Sequence, residues 1–540
     1  MKNYSLTAVF ILFSVLITSA QGWQWAKQLG SNCPPFHPNI YSTLCDGENN
    51  WVIGIYNGCL YLQNDTLQSN GTNDIFIVKY DGSGNELWSR TIGGNYTGST
   101  YGETATAVYD SVTQSIYLTG TLVYDVLMGT TLHADKGDIF VARMDLNGNY
   151  IWAKLFHSSG SYDVAYLSVS PSGKLNLLPR TSDSTYFDSF RLGPGTGLVQ
   201  IDSMGNCTYA TNKFKYPISG INFLSIDFIE NDLILYGSNT SSPFQIDTVS
   251  LISKGVSDGF IARTDSMGNL KWIKTFGGVG DDYIESVHIV DNNQIYFSGL
   301  FTDTFNLGST TLYNNGFDML IGKMDGFGNL IWTRQAFATG TKLYPGAVIS
   351  SGDGQCYVTG TFDGSLNFGN QILNASTNSD AFLTRFNENG ICLGTTNFGY
   401  ADGYQLALDN QGSIYLSGGF TNSVNLGATS LTSQGSYDGY IAKHDAITGV
   451  IENTREINNE LIIYANPSVG LCTVTVPDEF KHESSLTLNI YDVGGKIIQT
   501  LPVGLTEEKI HIDLQSEAKG IYTVSLSNGK KIYRGKIVFE

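Results

Sequence analysis

Apolar and polar residues alternate along most of this chain with the period of two that a half-buried strand requires, and no stretch keeps the 3.6-residue period of a helix. One segment recurs in phase with that alternation. It runs Asp74-Ile-Phe-Ile-Val-Lys-Tyr-Asp81-Gly-Ser-Gly84-Asn-Glu-Leu-Trp88 and returns at Asp138 to Trp152, Asp258 to Trp272 and Asp318 to Trp332. Looser copies lie at Gly197 to Tyr209, at Asp380 to Gly394 and from Asp438. The anchors Asp81, Asp145, Asp202, Asp265, Asp325, Asn387 and Asp445 are separated by 57 to 64 residues, which defines seven units.

Each unit predicts four strands. The first is apolar, as in Ile284 to Ile289, and the second ends in Tyr-x-x-Gly, as in Tyr296 to Gly299. The third is the Asp-x-Phe strand and the fourth carries the Trp. Between these two, Asp-x-x-Gly-Asn predicts a tight hairpin whose Gly supplies a positive φ. A four-stranded sheet cannot bury both faces alone, and stacking seven of them radially does so, as in a β-propeller. The termini fit that reading. The unit from Asp438 lacks a Trp strand, and the segment Trp25-Ala-Lys-Gln-Leu-Gly30 is a Trp strand without an Asp-x-Phe strand before it. Placing one beside the other completes the seventh blade and removes an open edge.

The repeats resemble SBBP-type seven-bladed β-propeller repeat proteins of bacteria, over roughly Trp25 to Thr448. The domains expected are a signal peptide at 1–20, a propeller at 21–450, a linker at 451–460 and a C-terminal β-sandwich of immunoglobulin-like type at 461–540. The signal peptide is read from Lys2, the apolar stretch Leu6 to Ile17 and the small residues Thr18-Ser19-Ala20. No later apolar run is long enough for a membrane span.

The C-terminal 80 residues carry Asn466-Pro467-Ser-Val-Gly470, Gly494-Gly495-Lys496 and Gly520-Ile-Tyr522, in that order and near the chain end. This pattern is similar to the C-terminal sorting domain of type IX secretion cargo, although Ala465 stands where that family usually has Pro. The resemblance implies an outer-membrane translocon as partner and an extracellular or cell-surface destination.

Charge changes the picture of partners. Of the formal net charge of −19, all but one unit lies before Leu461. Such a surface repels phosphate backbones and anionic lipid, which argues against nucleic acid. The seven Cys form no Cys-x-x-Cys pair, so zinc and redox motifs are absent. Cys33 and Cys45 are the first candidates for a disulfide, with Cys59 competing.

Catalytic patterns are sparse. Gly255-Val-Ser257-Asp-Gly259 matches a nucleophile elbow, but it enters the Asp-x-Phe strand and reads as a repeat turn. The recurring Asp74, Asp138, Asp258, Asp318, Asp380 and Asp438 read as turn caps. Asp281, Asp282 and Glu285 form the densest acidic cluster. They read first as a solvated turn, with Ca²⁺ binding or an acid/base pair as alternatives; no other cofactor is indicated. Tyr101, Tyr162, Tyr283, Tyr344 and Tyr404 recur just before the first strands of five units. They are either inter-blade packing or an aromatic rim suited to a glycan or protein ligand. The expected function is a secreted or surface-attached, non-catalytic binding or structural protein. The alternative is a polysaccharide-degrading enzyme using acidic rim residues.

Overall fold

The computed structural model describes residues 22–31, 38–70, 73–93, 105–122, 125–134, 137–159, 164–215, 221–240, 244–290, 293–307, 310–369, 371–445, 461, 463–464, 468–477, 480, 486–491, 497–504, 509–528 and 532–539. Among these there is no α-helix. The chain divides into two units, residues 1–448 and 449–540.

Among the described residues the first unit contains seven antiparallel sheets built on a four-stranded meander, five of them with four strands and two extended to five and six, together with smaller hairpins. Sheet one is Asn39–Cys45, Asn50–Tyr56, Asp74–Tyr80 and Glu86–Ile92. Sheets two to six repeat that order, each from its own inner strand: Ala105–Asp110, Val164–Val169, Ile221–Ile229, Tyr283–Val290 and Leu343–Ser350. Sheet seven consists of Ala401–Leu408, Ile414–Phe420, Asp438–His444 and, on its outside, Trp23–Leu29. This last pairing sets Ala26 opposite Ala442 and Leu29 opposite Gly439. The inner strands adjoin in chain order, and that of sheet seven also adjoins that of sheet one. Hydroxyls bridge several seams. Ser42 Oγ accepts from Ala107 N at 3.1 Å, Ser286 Oγ accepts from Val348 N at 3.1 Å, and Thr43 and Ser417 share a hydrogen bond of 2.5 Å between sheets one and seven.

The repeat motif is a device for joining sheets. In the turns after six of the seven anchor residues, Gly takes a φ between 73 and 86°, at positions 84, 148, 205, 268, 328 and 390; the turn after Asp445 lies outside the described residues. In the first turn Asp81 Oδ1 accepts from Ser83 N and Asn85 N at 2.9 and 2.8 Å. The carbonyl one residue after the anchor then accepts the indole N–H of the preceding sheet's Trp. The pairs are Trp88 to Leu146 O at 3.2 Å, Trp152 to Ser203 O at 2.9 Å, Trp272 to Gly326 O at 3.1 Å and Trp332 to Glu388 O at 2.8 Å. Trp25 does the same to Gly82 O at 3.1 Å, from sheet seven to sheet one. The ring lies flat on the turn glycine: a Cβ at Gly328 would come within 3.1 Å of Trp272. Trp272→Ala is therefore expected to cost ~3 kcal/mol, the low end for removing a packed Trp because the ring is only partly buried. Denaturant unfolding of the single variant measures this, and a loss under ~1 kcal/mol would make the ring a surface group.

The strand-three cations reinforce the same turns. Lys79 donates to Leu146 O at 2.9 Å, Arg143 to Ser203 O at 3.1 Å and Arg263 to Gly326 O at 2.8 Å. Several also sit over the strand-two aromatic, as Lys443 does 5.2 Å from the Tyr415 ring centroid.

Four strands per unit is an incomplete description. Between strands two and three most sheets carry a short extra hairpin, such as Val126–Met128 with Thr130–Leu132, Ile372–Asn374 with Ser365–Asn367, and Ser423–Leu426 with Thr429–Thr432. Its apolar residues, among them Met128, Leu366, Val424 and Leu426, are buried. Two of these hairpins turn on Asp188 and Asp247 at φ of 51 and 52°, where others use Gly. Asp tolerates the left-handed region better than most residues, which hides the repeat of this turn in the sequence.

The second unit contains two antiparallel sheets. One is Ile463–Tyr464, Leu471–Thr475 and Lys509–Asp513; the other is Ile497–Val503, Leu486–Tyr491, Gly520–Ser527 and Ile532–Phe539. Val474, Leu488, Ile512, Val524, Leu526 and Ile537 form one buried core. Among the described residues no disulfide is present: Cys45 and Cys59 are both free, and Cys33 lies outside them.

Candidate functional site

The recurring strand-three aspartates are structural. Asp380 accepts from Ser376 N and Thr377 N at 2.8 and 3.0 Å, Asp318 from Ala338 N at 2.8 Å, and Asp438 from Ser31 N at 2.9 Å. All are nearly sealed from solvent, and each pins a loop through backbone N–H groups. Burial pushes Asp74 up to about 6 against the pull of the Asn70 N–H. Ser257 begins the strand Ser257–Thr264 and donates to Asp281, so Gly255–Gly259 has no strand-to-helix elbow.

The acidic cluster at 281–285 comes apart: Asp281 is partly buried and accepts from the Ser257 hydroxyl. Asp282 is 1% exposed and accepts from Gly278 N at 2.9 Å and Thr302 N at 3.0 Å. Glu285 lies on the inner strand Tyr283–Val290 and is partly buried. Among the described residues no group of three or more His, Cys, Asp or Glu is placed to hold a metal ion.

Around Glu285 three inner strands and the second strand of sheet four, Asp232–Thr240, gather a polar and aromatic set. Glu285 acts electrostatically on Tyr283 of its own strand, on Tyr166 of sheet three and on Tyr236 of sheet four. Tyr236 also feels Asp227, and Tyr283 feels Tyr344. The three inner strands involved, Val164–Val169, Ile221–Ile229 and Tyr283–Val290, are consecutive neighbours. Burial pushes both carboxyls up to about 7, with the Phe228 N–H opposing this at Asp227. Burial also pulls the neighbouring His288 down to about 4 and raises the Tyr166, Tyr236 and Tyr283 phenols.

These carboxyls make a pH prediction. A carboxyl whose folded pKa is raised favours the folded state below its unfolded value near 4 and loses that contribution as pH climbs through about 7. Glu285→Gln carries no such charge. It is expected to melt at least about 2 °C above the natural chain at pH 8 and level with it at pH 5. Melting curves at the two pH values decide it, and equal curves at pH 8 would mean that Glu285 is well hydrated.

Of the five recurring tyrosines, Tyr101 and Tyr162 lie outside the described residues. Tyr344 is 61% exposed. Tyr283 is partly buried beside Glu285. Tyr404 is partly buried and hydrogen-bonds to the Tyr437 hydroxyl and to Asp402 Oδ2 at 3.3 Å, while Tyr437 donates to the same carboxylate oxygen at 2.8 Å. Burial and the Asp402 charge raise the Tyr404 phenol. Next in the loop, Tyr400 holds a φ of 59° and is 40% exposed. Asp227, Tyr166 and Tyr236 were not evident from the sequence because they follow no repeat; their one signal is polarity at inward positions of otherwise apolar strands.

In the second unit, Gly470 has a φ of 91° and a Cβ there would meet the Phe539 ring at 3.1 Å. Its carbonyl accepts from Leu514 N at 2.7 Å. Gly520 opens the strand Gly520–Ser527, and Tyr522, 6% exposed, donates to Ala518 O. Asn466, Pro467, Gly494, Gly495 and Lys496 lie outside the described residues.

Comparison with solved structures finds similarity only at low identity. A DUF4221 family member from Bacteroides vulgatus is 10% identical with a TM-score of 0.32, covering 68% of this chain and 98% of its own. The Synechocystis apocarotenoid oxygenase is 9% identical with a TM-score of 0.34, covering 91% and 96%. A glycoside hydrolase family 32 protein from Bifidobacterium adolescentis is 9% identical with a TM-score of 0.24, covering 95% of each chain. No curated protein matches the chain. No helix among the described residues is long and apolar enough to cross a membrane. Residues 462–540, however, match the family of secretion system C-terminal sorting domains, and this tail marks the protein for type IX export to the cell surface or extracellular space.

Proposed function

We propose that the first unit is a seven-bladed β-propeller of SBBP type, that the tail is an immunoglobulin-like sandwich, and that the exported protein binds a ligand without turning it over. The observation that carries the binding reading is the set Tyr166, Tyr283, Asp227 and Glu285 on inner strands and Tyr236 on the second strand of sheet four, with exposed Tyr344 in electrostatic reach of Tyr283. Tyr offers a flat apolar face and a hydroxyl at small entropic cost, and carboxyls near neutrality donate or accept hydrogen bonds. Such a surface suits neutral polyhydroxylated ligands, and its surrounding negative charge disfavours anionic ones. A second reading is favoured by the two carboxyls raised to about 7, the range of a general acid. In that reading the protein degrades polysaccharide.

Purified first unit, screened on a glycan array and against soluble polysaccharides, separates the two. Retention without release of reducing ends, lost in Tyr344→Ala, is the expected result. Release of products that stops in Glu285→Gln would establish the enzyme instead. Failure to retain any glycan would remove the saccharide ligand.

A further inference from the structure

A bulge in the inner strand of sheet five sets the place of Glu285. Ile284 stands opposite Gly299 and Ser286 opposite Ser298, so Glu285 has no partner in the ladder. The same extra residue occurs at Tyr41 in sheet one, at Tyr404 in sheet seven and, in sheet six, within Gly346–Ala347. The bulge accounts for the glycine of the second strand. A Cβ at Gly299 would strike the Tyr283 carbonyl, and Cβ atoms at Gly54, Gly360 and Gly418 would strike those of Asn39, Tyr344 and Asp402. A bulge re-aims the side chain it carries and is over-represented beside functional sites. Of these four bulges, only that of sheet five carries a charged residue.

Glu285 is also the member of its set without a partner. Among the described residues it makes no hydrogen bond or ion pair, and burial alone acts on its carboxyl. The groups around it are engaged. The Tyr236 phenol hydrogen-bonds to Ser225 and, across the seam, to the backbone of Val287, and Asp227 accepts from Phe228 N at 2.7 Å. Arg180 acts on Tyr166 and not on Glu285. Tyr166, Asp227, Tyr236, Tyr283 and Glu285 are each partly exposed, so a ligand can reach them.

A half-buried carboxylate with no counter-charge is costly to keep ionised, and a ligand cation offsets that cost. The faces of tyrosine rings attract the same cation. One unpaired carboxylate offers a hard metal ion too few oxygens, whereas an organic ammonium gains from the carboxylate and from the rings together. The excess of acidic residues before Leu461 draws such a ligand in.

We propose that the set around Glu285 takes a saccharide bearing a free amino group, its ammonium paired with Glu285 among Tyr166, Tyr236 and Tyr283. This rests on the reading of that set as a glycan site and narrows it from neutral saccharides to amino-bearing ones.

The probes are an oligomer of glucosamine and its fully N-acetylated counterpart, which differ in the charge of the amine. Each is titrated into the purified chain near neutral pH and followed by calorimetry. The free-amine oligomer is expected to bind about tenfold more tightly or better, and Glu285→Gln is expected to bring the two level. In the natural chain the free-amine oligomer is also expected to raise the melting temperature more than the acetylated one, a readout that needs no variant. Equal affinities, a preference for the acetylated oligomer, or a preference that survives in Glu285→Gln would overturn the ammonium assignment and leave the glycan reading standing. Binding of no glycan at all would overturn both.

Discussion

A chain lacking Trp23–Leu29 is expected to lose its cooperative unfolding transition and to aggregate. That strand covers the outer edge of Asp438–His444, a strand whose seven residues are all buried. Removing it strips seven residues' worth of ladder from the sheet and leaves an unpaired apolar edge, the usual template for association between chains. It also removes Leu29, fully buried, and the Trp25 ring that lies on Gly84 and donates to Gly82. Those two side chains alone represent ~5 kcal/mol on the scale of large-to-small core changes. A domain is stable by only about 5–15 kcal/mol, so the loss is a large share of the whole. Light scattering and melting of the truncated first unit measure the outcome. A monomer with unchanged melting would show that Trp23–Leu29 is an ornament on sheet seven.

The second large effect concerns export. Removing residues 461–540 is expected to leave the first unit folded and trapped inside the outer membrane. The tail matches the sorting family over 462–540, and its core is made of its own residues from Leu461 to Phe539. Its strands pair only with one another among the described residues. The deletion therefore takes away the address without opening the sheets before it. Cell fractionation with antibody to the first unit, together with melting of the purified truncate, reads both halves of the expectation. Normal amounts in the medium would mean that export uses another signal, and a collapsed melting curve would mean that the first unit leans on the tail.

What the chain disclosed in advance depended on repetition. Asp81, Gly84 and Trp88 recur because one physical arrangement, a glycine turn capped by Asp under a neighbour's indole, is built again and again. The extra hairpins recur too, but their turn residue changes from Gly129 to Asp188 to Asp247, and the apolar positions are few, so the pattern drops below notice. In the sequence Glu285 groups with Asp281 and Asp282 because they are close along the chain. In space, Asp282 lies before the strand and accepts from backbone N–H groups, whereas Glu285 lies on the strand in electrostatic reach of tyrosines of two other sheets. Partners such as Asp227 and Tyr236 come from strands dozens of residues away, and nothing local marks them.

The pairing of Trp23–Leu29 with Asp438–His444 also sets a timetable. Gln24 and Asp445, which meet at 2.5 Å, are 421 positions apart, so the first described strand has the last strand of the first unit as its mate. At ~10 residues per second of synthesis, that strand waits about 40 seconds before its partner exists. Throughout that interval sheets one to six can assemble in order while a Trp-rich segment stays unmatched at the leading end. A chaperone that shields short aromatic strands would act on the beginning of this polypeptide, and a prolonged stall in translation late in the message would be most damaging here. Completion of the last sheet then falls within a few seconds of the emergence of the tail, which brings maturity and departure together in time.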